Sequence, residues 1–206
     1  MTKSIIRKTI SKQRNLLTQQ YVSRESKKIV ENIINNLEKI VPNFKNQIIA
    51  LYLSTNKEVE TKLLIKYLLK IKSIILCFPK INKDNNSMEF IEYDDNTKLQ
   101  QNNKYKSISE PKSDKKVIPQ IIFTPLVACD KFGNRIGMGK GFYDKKIQEI
   151  KQNNQNTTLI GLSYDFQLTD KITTSNHDQT LDFIGLPQYI INLTSLKKDK
   201  NSKKNI

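Results

Sequence analysis

Four of the six glycines in this 206-residue chain fall within nine positions, at Gly133, Gly137, Gly139 and Gly141. An apolar, strand-like run from Gln120 to Ala128 precedes them, and a segment with helical character, Phe142 to about Lys151, follows. Glycines at alternate positions let the backbone take positive φ and bring its N–H groups against an anion. The helix start beyond them adds a favourable dipole. Arg135 and Lys140 supply charge within the same run, and Asp144, just inside the helix, could hold a hard cation through oxygen. The spacing is neither Gly-Lys-Ser/Thr of a P-loop nor Gly-x-Gly-x-x-Gly of a dinucleotide site. A flexible loop is therefore the plain alternative to a phosphate loop, and the strand-to-helix setting favours the phosphate loop.

Apolar periodicity organises the rest of the chain. Ile6, Ile10 and Leu17 recur at helical spacing, as do Ile29 or Val30, Ile33, Leu37 and Ile40, so two helices come first and Pro42 closes them. Lys3, Arg7 and Arg14 fall on a similar face of the first helix and could converge on a phosphate chain, although spacing alone favours a solvated face. Gln47 to Leu53 reads as a buried strand, about Glu58 to Ile71 as a helix, and Ser73 to Phe78 as a second strand. This is a β-α-β order that implies a parallel sheet with helices on its faces. Met88 to Tyr93 is an additional strand, Asp94 to Pro119 a long polar connection of the kind that serves as a lid or binding loop, and Thr157 to Tyr164 another strand. In such sheets ligands lie beyond the carboxyl ends of the strands, where the glycine run falls.

Composition narrows the function classes. The net charge of +15 invites a nucleic-acid reading, but residues 1–28 account for +7 of it and residues 195–206 for +4. That leaves a nearly balanced middle, and basic ends of this kind are commonly solvated. An RNA-binding protein would interleave basic residues with exposed aromatics on a strand, and these strands read as buried. No apolar run is long enough to cross a bilayer and no secretory leader is evident, so a cytoplasmic protein without nucleic-acid or membrane partners is expected. Cys77 and Cys129 sit in apolar runs as small hydrophobes and do not form a disulfide framework. One domain over residues 1–194 followed by a basic, disordered tail over 195–206 is the expected organisation, and a monomer the expected state.

The run Pro125, Asp130, Gly133, Asn134-Arg135, Gly137, Gly139-Lys140-Gly141, Tyr143-Asp144 resembles the long motif of the 5-formyltetrahydrofolate cyclo-ligase family, also called 5,10-methenyltetrahydrofolate synthetases. Lys3 with Arg7, Leu53-Ser54 before Glu58-Val59-Glu60-Thr61, Ile108 with Glu110-Pro111, and His177-Asp178 with Asp182 agree in order, extending the resemblance over residues 3–184. Three positions depart from the pattern: Cys129 stands where an aromatic is usual, Met138 fills a variable position, and Phe142 replaces the first of two tyrosines.

With the residue reading, the resemblance implies a three-layer α/β/α sandwich with a mainly parallel central sheet, Rossmann-like. It implies ATP- and Mg²⁺-dependent conversion of 5-formyltetrahydrofolate to 5,10-methenyltetrahydrofolate, ADP and phosphate. The formyl oxygen would attack the γ-phosphate and N10 would then close the ring, so positioning and charge neutralisation suffice without a protein nucleophile. Arg135 and Lys140 would be catalytic. They would hold ATP with Lys3, Arg7, Gly137, Met138, Gly139, Gly141, Phe142 and Tyr143. Asp144 and Asp178 would hold Mg²⁺. Glu58 would accept hydrogen bonds from the pterin, with Leu53, Tyr52 and Phe142 on its faces. Glu58 could equally cap a helix beginning near Val59, Tyr143 could be core, and the lone His177 is of interest mainly as the neighbour of Asp178.

Overall fold

The computed structural model describes residues 1–82, 87–153 and 156–194; the expected basic tail from 195 onward lies outside the described residues. Two helices open the chain, α1 (Lys3–Asn15) and α2 (Gln19–Ile40). Each starts on a threonine whose hydroxyl accepts an early backbone N–H, Thr2 from Ile5 at 3.4 Å and Thr18 from Tyr21 at 3.2 Å. A βαβ unit follows as β1 (Ile48–Ala50), α3 (Lys62–Leu69) and β2 (Ile75–Ile81), with β3 (Met88–Tyr93) returning antiparallel to β2. The remaining elements are a small hairpin of β4 (Leu99–Gln101) and β5 (Ser109–Pro111), strands β6 (Ile121–Thr124), β7 (Ala128–Asp130) and β8 (Arg135–Ile136), helix α4 (Phe142–Gln152), and strands β9 (Thr158–Leu162), β10 (Leu168–Thr169), β11 (Phe183–Gly185) and β12 (Ile190–Asn192).

Seven strands form one sheet in the order β12-β11-β9-β6-β1-β2-β3. The five inner strands run parallel and only the two edges are antiparallel. Alternation along the inner strands builds two cores. Ile49, Leu76, Phe78, Ile121, Phe123 and Ile160 face α2 and α3, meeting Ile29, Val30, Ile33, Leu37, Leu64 and Leu68. Ala50, Cys77, Ile122, Leu159 and Ile184 face the other way, against Ile147 and Ile150 of α4. The expected three-layer α/β/α architecture with a mainly parallel sheet is thus the one observed. Ile29, Val30, Ile33 and Leu37 are fully buried, each such side chain contributing about 1.5–3 kcal/mol over its exposed state.

Several element boundaries differ from the sequence reading, each for a local reason. The run from Gln120 to Ala128 is two strands, because Pro125 interrupts the ladder and the chain turns out of the main sheet into β7, which pairs with β8 and β10. The helix expected from Glu58 starts only at Lys62; before it, Thr55 to Glu58 form a tight turn with Asn56 and Lys57 both at positive φ (48° and 59°). The strand expected over Gln47 to Leu53 is only Ile48–Ala50. The polar connection 94–119 carries the β4–β5 hairpin, which is anchored from within. The carboxylate of Glu110, 4% exposed, accepts from Asn102 Nδ2 at 2.7 Å and from the Ile81 N–H at 3.4 Å. No helix among the described residues is long and apolar enough to cross a membrane.

Candidate active site

The glycine run divides into two devices. Its first half builds a hairpin. Buried Asp130 accepts from the Phe132 and Asn134 N–H groups at 2.9 and 3.0 Å through Oδ1, and from Asn134 Nδ2 and the Ile172 N–H, both at 2.8 Å, through Oδ2. Gly133 closes the turn at φ 85°, where a Cβ would stand 2.8 Å from the Leu181 carbonyl. This turn aims the next residue, Arg135 on β8. The second half is the loop proper, with Gly139 at φ 92° and Gly141 at φ 72°, the latter starting α4. No Cβ at Gly137 or Gly141 would meet another atom within 4 Å, so the loop backbone borders open space on the pocket side.

A cavity of about 480 Å³ lies beyond the carboxyl ends of β1, β2 and β6, bounded by this loop and by α1. Arg135 is buried at its wall. One guanidinium nitrogen is 2.9 Å from Asp144 Oδ1 and another donates to the Gln179 carbonyl, while the Gln179 N–H donates to the same Asp144 oxygen at 3.1 Å. Lys3 pairs with Asp178, whose carboxylate also accepts from the Ser175 N–H at 2.6 Å. Burial would raise the Asp178 carboxyl, but Lys3, the Ser175 N–H and Arg135 overcome it and hold it below the usual range. Arg7 Nε donates to the Gly137 carbonyl at 2.8 Å and packs under Gly139. Lys140 is exposed, its ammonium 6.0 Å from the centroid of Tyr105, and Met138 is also exposed, at 56%.

The first helix is therefore not a solvated basic face. Lys3, Arg7 and Arg14 all turn inward, because Ile6 and Ile10 anchor α1 on Val127, Ala128 and Ile136 next to the glycine loop. Arg14 goes deepest, at 2% exposure. It donates to the Leu126 carbonyl at 3.3 Å, lies 3.8 Å from Met138 Sδ, and stands 4.0 Å from Glu58 Oε1.

Across the cavity, the tight turn after β1 presents Glu58. Its Oε2 accepts the Thr55 N–H at 2.9 Å and faces the Thr55 hydroxyl at 3.4 Å. Burial pushes the Glu58 carboxyl up, with the Thr55 hydrogen bonds and the Arg14 charge opposing it. Glu58 does not cap α3, whose first residue is Lys62 and whose N-cap is Thr61; the capping alternative fails because the chain turns before the helix starts. Leu53 is half-buried on the same wall. Tyr52 is buried, its hydroxyl donating to the Val59 carbonyl at 3.1 Å, so its ring is the part that borders the cavity. Phe142 meets Tyr105 edge to face at 6.1 Å, and the 94–119 connection lines the cavity there through Tyr105 and Ile108. His177 is exposed and outside the lining.

The helical spacing groups Arg14 with Lys3 and Arg7, but spacing cannot show that Arg14 is buried at 2% exposure. Two participants escaped the sequence reading of the site. Gln179 acts through its backbone, which leaves no residue-type signal. Tyr105 comes from the long connection and carries no local pattern. Asp144 and Asp178 line the same pocket, and no group of three or more metal-holding side chains occurs among the described residues. Two hard carboxylates with adjoining space suit Mg²⁺, which keeps several waters and shares substrate phosphates more often than it occupies an all-protein cage.

Fold and site define a doubly wound α/β enzyme with a cation-lined pocket at the carboxyl ends of its strands. Residues 1–187 match the family model described as the 5-formyltetrahydrofolate cyclo-ligase family, and the chain belongs to that family, whose members are ligases. A 5-formyltetrahydrofolate cyclo-ligase from Haemophilus influenzae is 35% identical over 183 residues, covering 85% of this chain and 92% of that protein. One from Escherichia coli K12 is 32% identical over 149 residues, covering 69% and 79%. Among solved structures, the NMR structure of Aquifex aeolicus 5,10-methenyltetrahydrofolate synthetase superposes with a TM-score of 0.76 at 26% identity, covering 94% of this chain and 93% of that one. A 5,10-methenyltetrahydrofolate synthetase from Mycoplasma pneumoniae gives 0.67 at 27% identity, covering 94% and 99%.

Proposed function

We propose that this protein uses MgATP to cyclise 5-formyltetrahydrofolate to 5,10-methenyltetrahydrofolate, releasing ADP and phosphate. The observation that carries the reading is the division of one cavity: cations and a glycine loop at one end, a buried carboxylate with apolar walls at the other. Lys3, Arg7, Arg135 and Lys140, with the backbone from Gly137 to Tyr143, hold the triphosphate. Glu58 accepts the N–H and amino donors of the pterin, while Leu53, the Tyr52 ring and Phe142 pack on its faces. Asp144 and Asp178 would hold Mg²⁺, which when bound would supply charge neutralisation at the phosphates.

The chain's own contribution is alignment. The formyl oxygen must reach the γ-phosphorus in line with the departing ADP, and the two ends of the cavity fix the reactants on either side of that line. Arg135, buried at the wall and donating to the Gln179 carbonyl, contributes charge where the transferring phosphoryl group needs it. The N10 amine then closes the ring as phosphate departs, a step that asks for no protein nucleophile. The 94–119 connection, through Tyr105, lines the cavity and keeps water from the activated formyl group.

The test is to mix purified protein with 5-formyltetrahydrofolate and MgATP and follow the near-ultraviolet absorbance of the methenyl product, beside Arg135→Ala. Turnover that needs ATP, Mg²⁺ and Arg135 supports the reading. Absence of product with ATP still bound sends the search to another substrate for the same phosphate site.

A further inference from the structure

Three enclosed side-chain polar atoms have no hydrogen-bond partner among the described residues: Arg14 Nε, Thr124 Oγ1 and the Tyr143 hydroxyl oxygen. Of these, only Tyr143 belongs to a residue lining the cavity. Leaving a buried hydroxyl unpaired costs stability and gives the fold nothing in return, so such a group points to a partner that arrives from outside the chain. Tyr143 is the second residue of α4, immediately before Asp144, with its ring edge-on to Phe90 at 6.3 Å. The charges of Glu58 and Arg135 both act on it, one from the pterin end of the cavity and one from the phosphate end. A tyrosine phenol keeps its proton throughout the neutral range, so the hydroxyl is a neutral O–H donor.

We propose that the Tyr143 hydroxyl is a catalytic group that donates a hydrogen bond to the formyl oxygen, at the junction between the pterin and the γ-phosphate. The proposal deepens, and rests on, the cyclo-ligase reading above. In that reaction the bond from the formyl oxygen to the γ-phosphorus forms as the bond from that phosphorus to the β–γ bridging oxygen breaks, and ADP leaves with the electron pair. N10 then bonds to the formyl carbon and its proton passes to solvent. The carbon–oxygen bond breaks, its electron pair going to the oxygen that leaves within phosphate. Tyr143 keeps its proton throughout. Its hydrogen bond strengthens as charge collects on the departing oxygen, so the interaction favours the transition state over the bound substrate. The apolar Phe90 and the helix start fix the ring, which makes the donor preorganised.

Tyr143→Phe keeps the ring and removes only the hydroxyl. The expected result is a kcat lower by on the order of 10- to 100-fold, KM for ATP within about twofold, and a Tm equal to or above that of the unsubstituted protein, because an unpaired buried group has been removed. Lower stability with kcat intact, or failure of the variant to fold, shows the hydroxyl to be structural and overturns the proposal. Equal kcat with equal Tm overturns it as well. If the unsubstituted protein makes no methenyl product, the cyclo-ligase reading itself fails and the proposal falls with it. If that protein turns over and the variant matches it, the proposal alone is lost.

Discussion

At the scale of single residues, the site depends on charges held in place by burial. In the proposed function Glu58 is ionised to accept pterin donors, and burial raises its carboxyl above its ordinary value. Arg14 on α1, the Thr55 turn, and the phenols of Tyr52 and Tyr143 on neighbouring elements surround it, and of these only Arg14 is a cation. The acidic limb of the rate profile should therefore lie above the ordinary carboxylate range, with activity lost as pH falls through the Glu58 value; Glu58→Gln should abolish that limb along with most activity. Stability runs in the opposite sense. The fold prefers protonated Glu58, so its favourable contribution is present below the ordinary glutamate range and is lost as pH rises through the raised folded value. Thermal melts of both forms across that window check the sign. Arg135→Ala should lower kcat by on the order of 10²–10³-fold, the size of a lost preorganised charge contact. Rapid-quench measurement of ADP formation would separate that loss from weaker ATP binding.

At the scale of elements, two glycines of one motif should give different phenotypes. Gly133→Ala places a Cβ 2.8 Å from the Leu181 carbonyl in a positive-φ turn. It should lower stability by about 1–3 kcal/mol and shift the chemical denaturation midpoint. Gly139→Ala meets only the flexible end of Arg7, at 3.4 Å, although its φ of 92° still carries strain. It should lose affinity for ATP more than stability, which calorimetric titration beside a melt would distinguish. The glycine run was legible in the sequence because its residue types are rare and clustered, and the buried strands were legible because short continuous apolar runs between polar segments suit strands covered on both faces. The strands β11 and β12, three residues each, were not, since so short a run carries no period. The turn at Asn56 and Lys57 was hidden for a different reason. Asn56 tolerates positive φ, but Lys57 gives no sign of it and is held there by donating to the carbonyls of Asn15 and Leu17 at the end of α1.

At the scale of the whole molecule, two of the four cations proposed for phosphate are paired with the carboxylates proposed for Mg²⁺, Lys3 with Asp178 and Arg135 with Asp144. Either ligand alone must break pairs without replacing both halves, whereas the two together replace all of them. Mg²⁺ and ATP should therefore bind with positive coupling, ATP tightening with Mg²⁺ by more than solution complexation explains. Titration of a non-hydrolysable ATP analogue with and without Mg²⁺ measures the coupling, and equal affinities after correction would refute it. The two buried thiols carry a last consequence. Cys77 lies in the central sheet and Cys129 in the hairpin, paired in register with Arg135; burial holds Cys129 up at about 12 and Cys77 higher still. Neither can react with an alkylating reagent until its surroundings open, so the chain contains two built-in clocks. Cys77 times global unfolding, and Cys129 times the opening of the hairpin that carries Arg135. Mass spectrometry of pulse-alkylated protein would read both at once, and saturating MgATP should slow the Cys129 clock more than the Cys77 one.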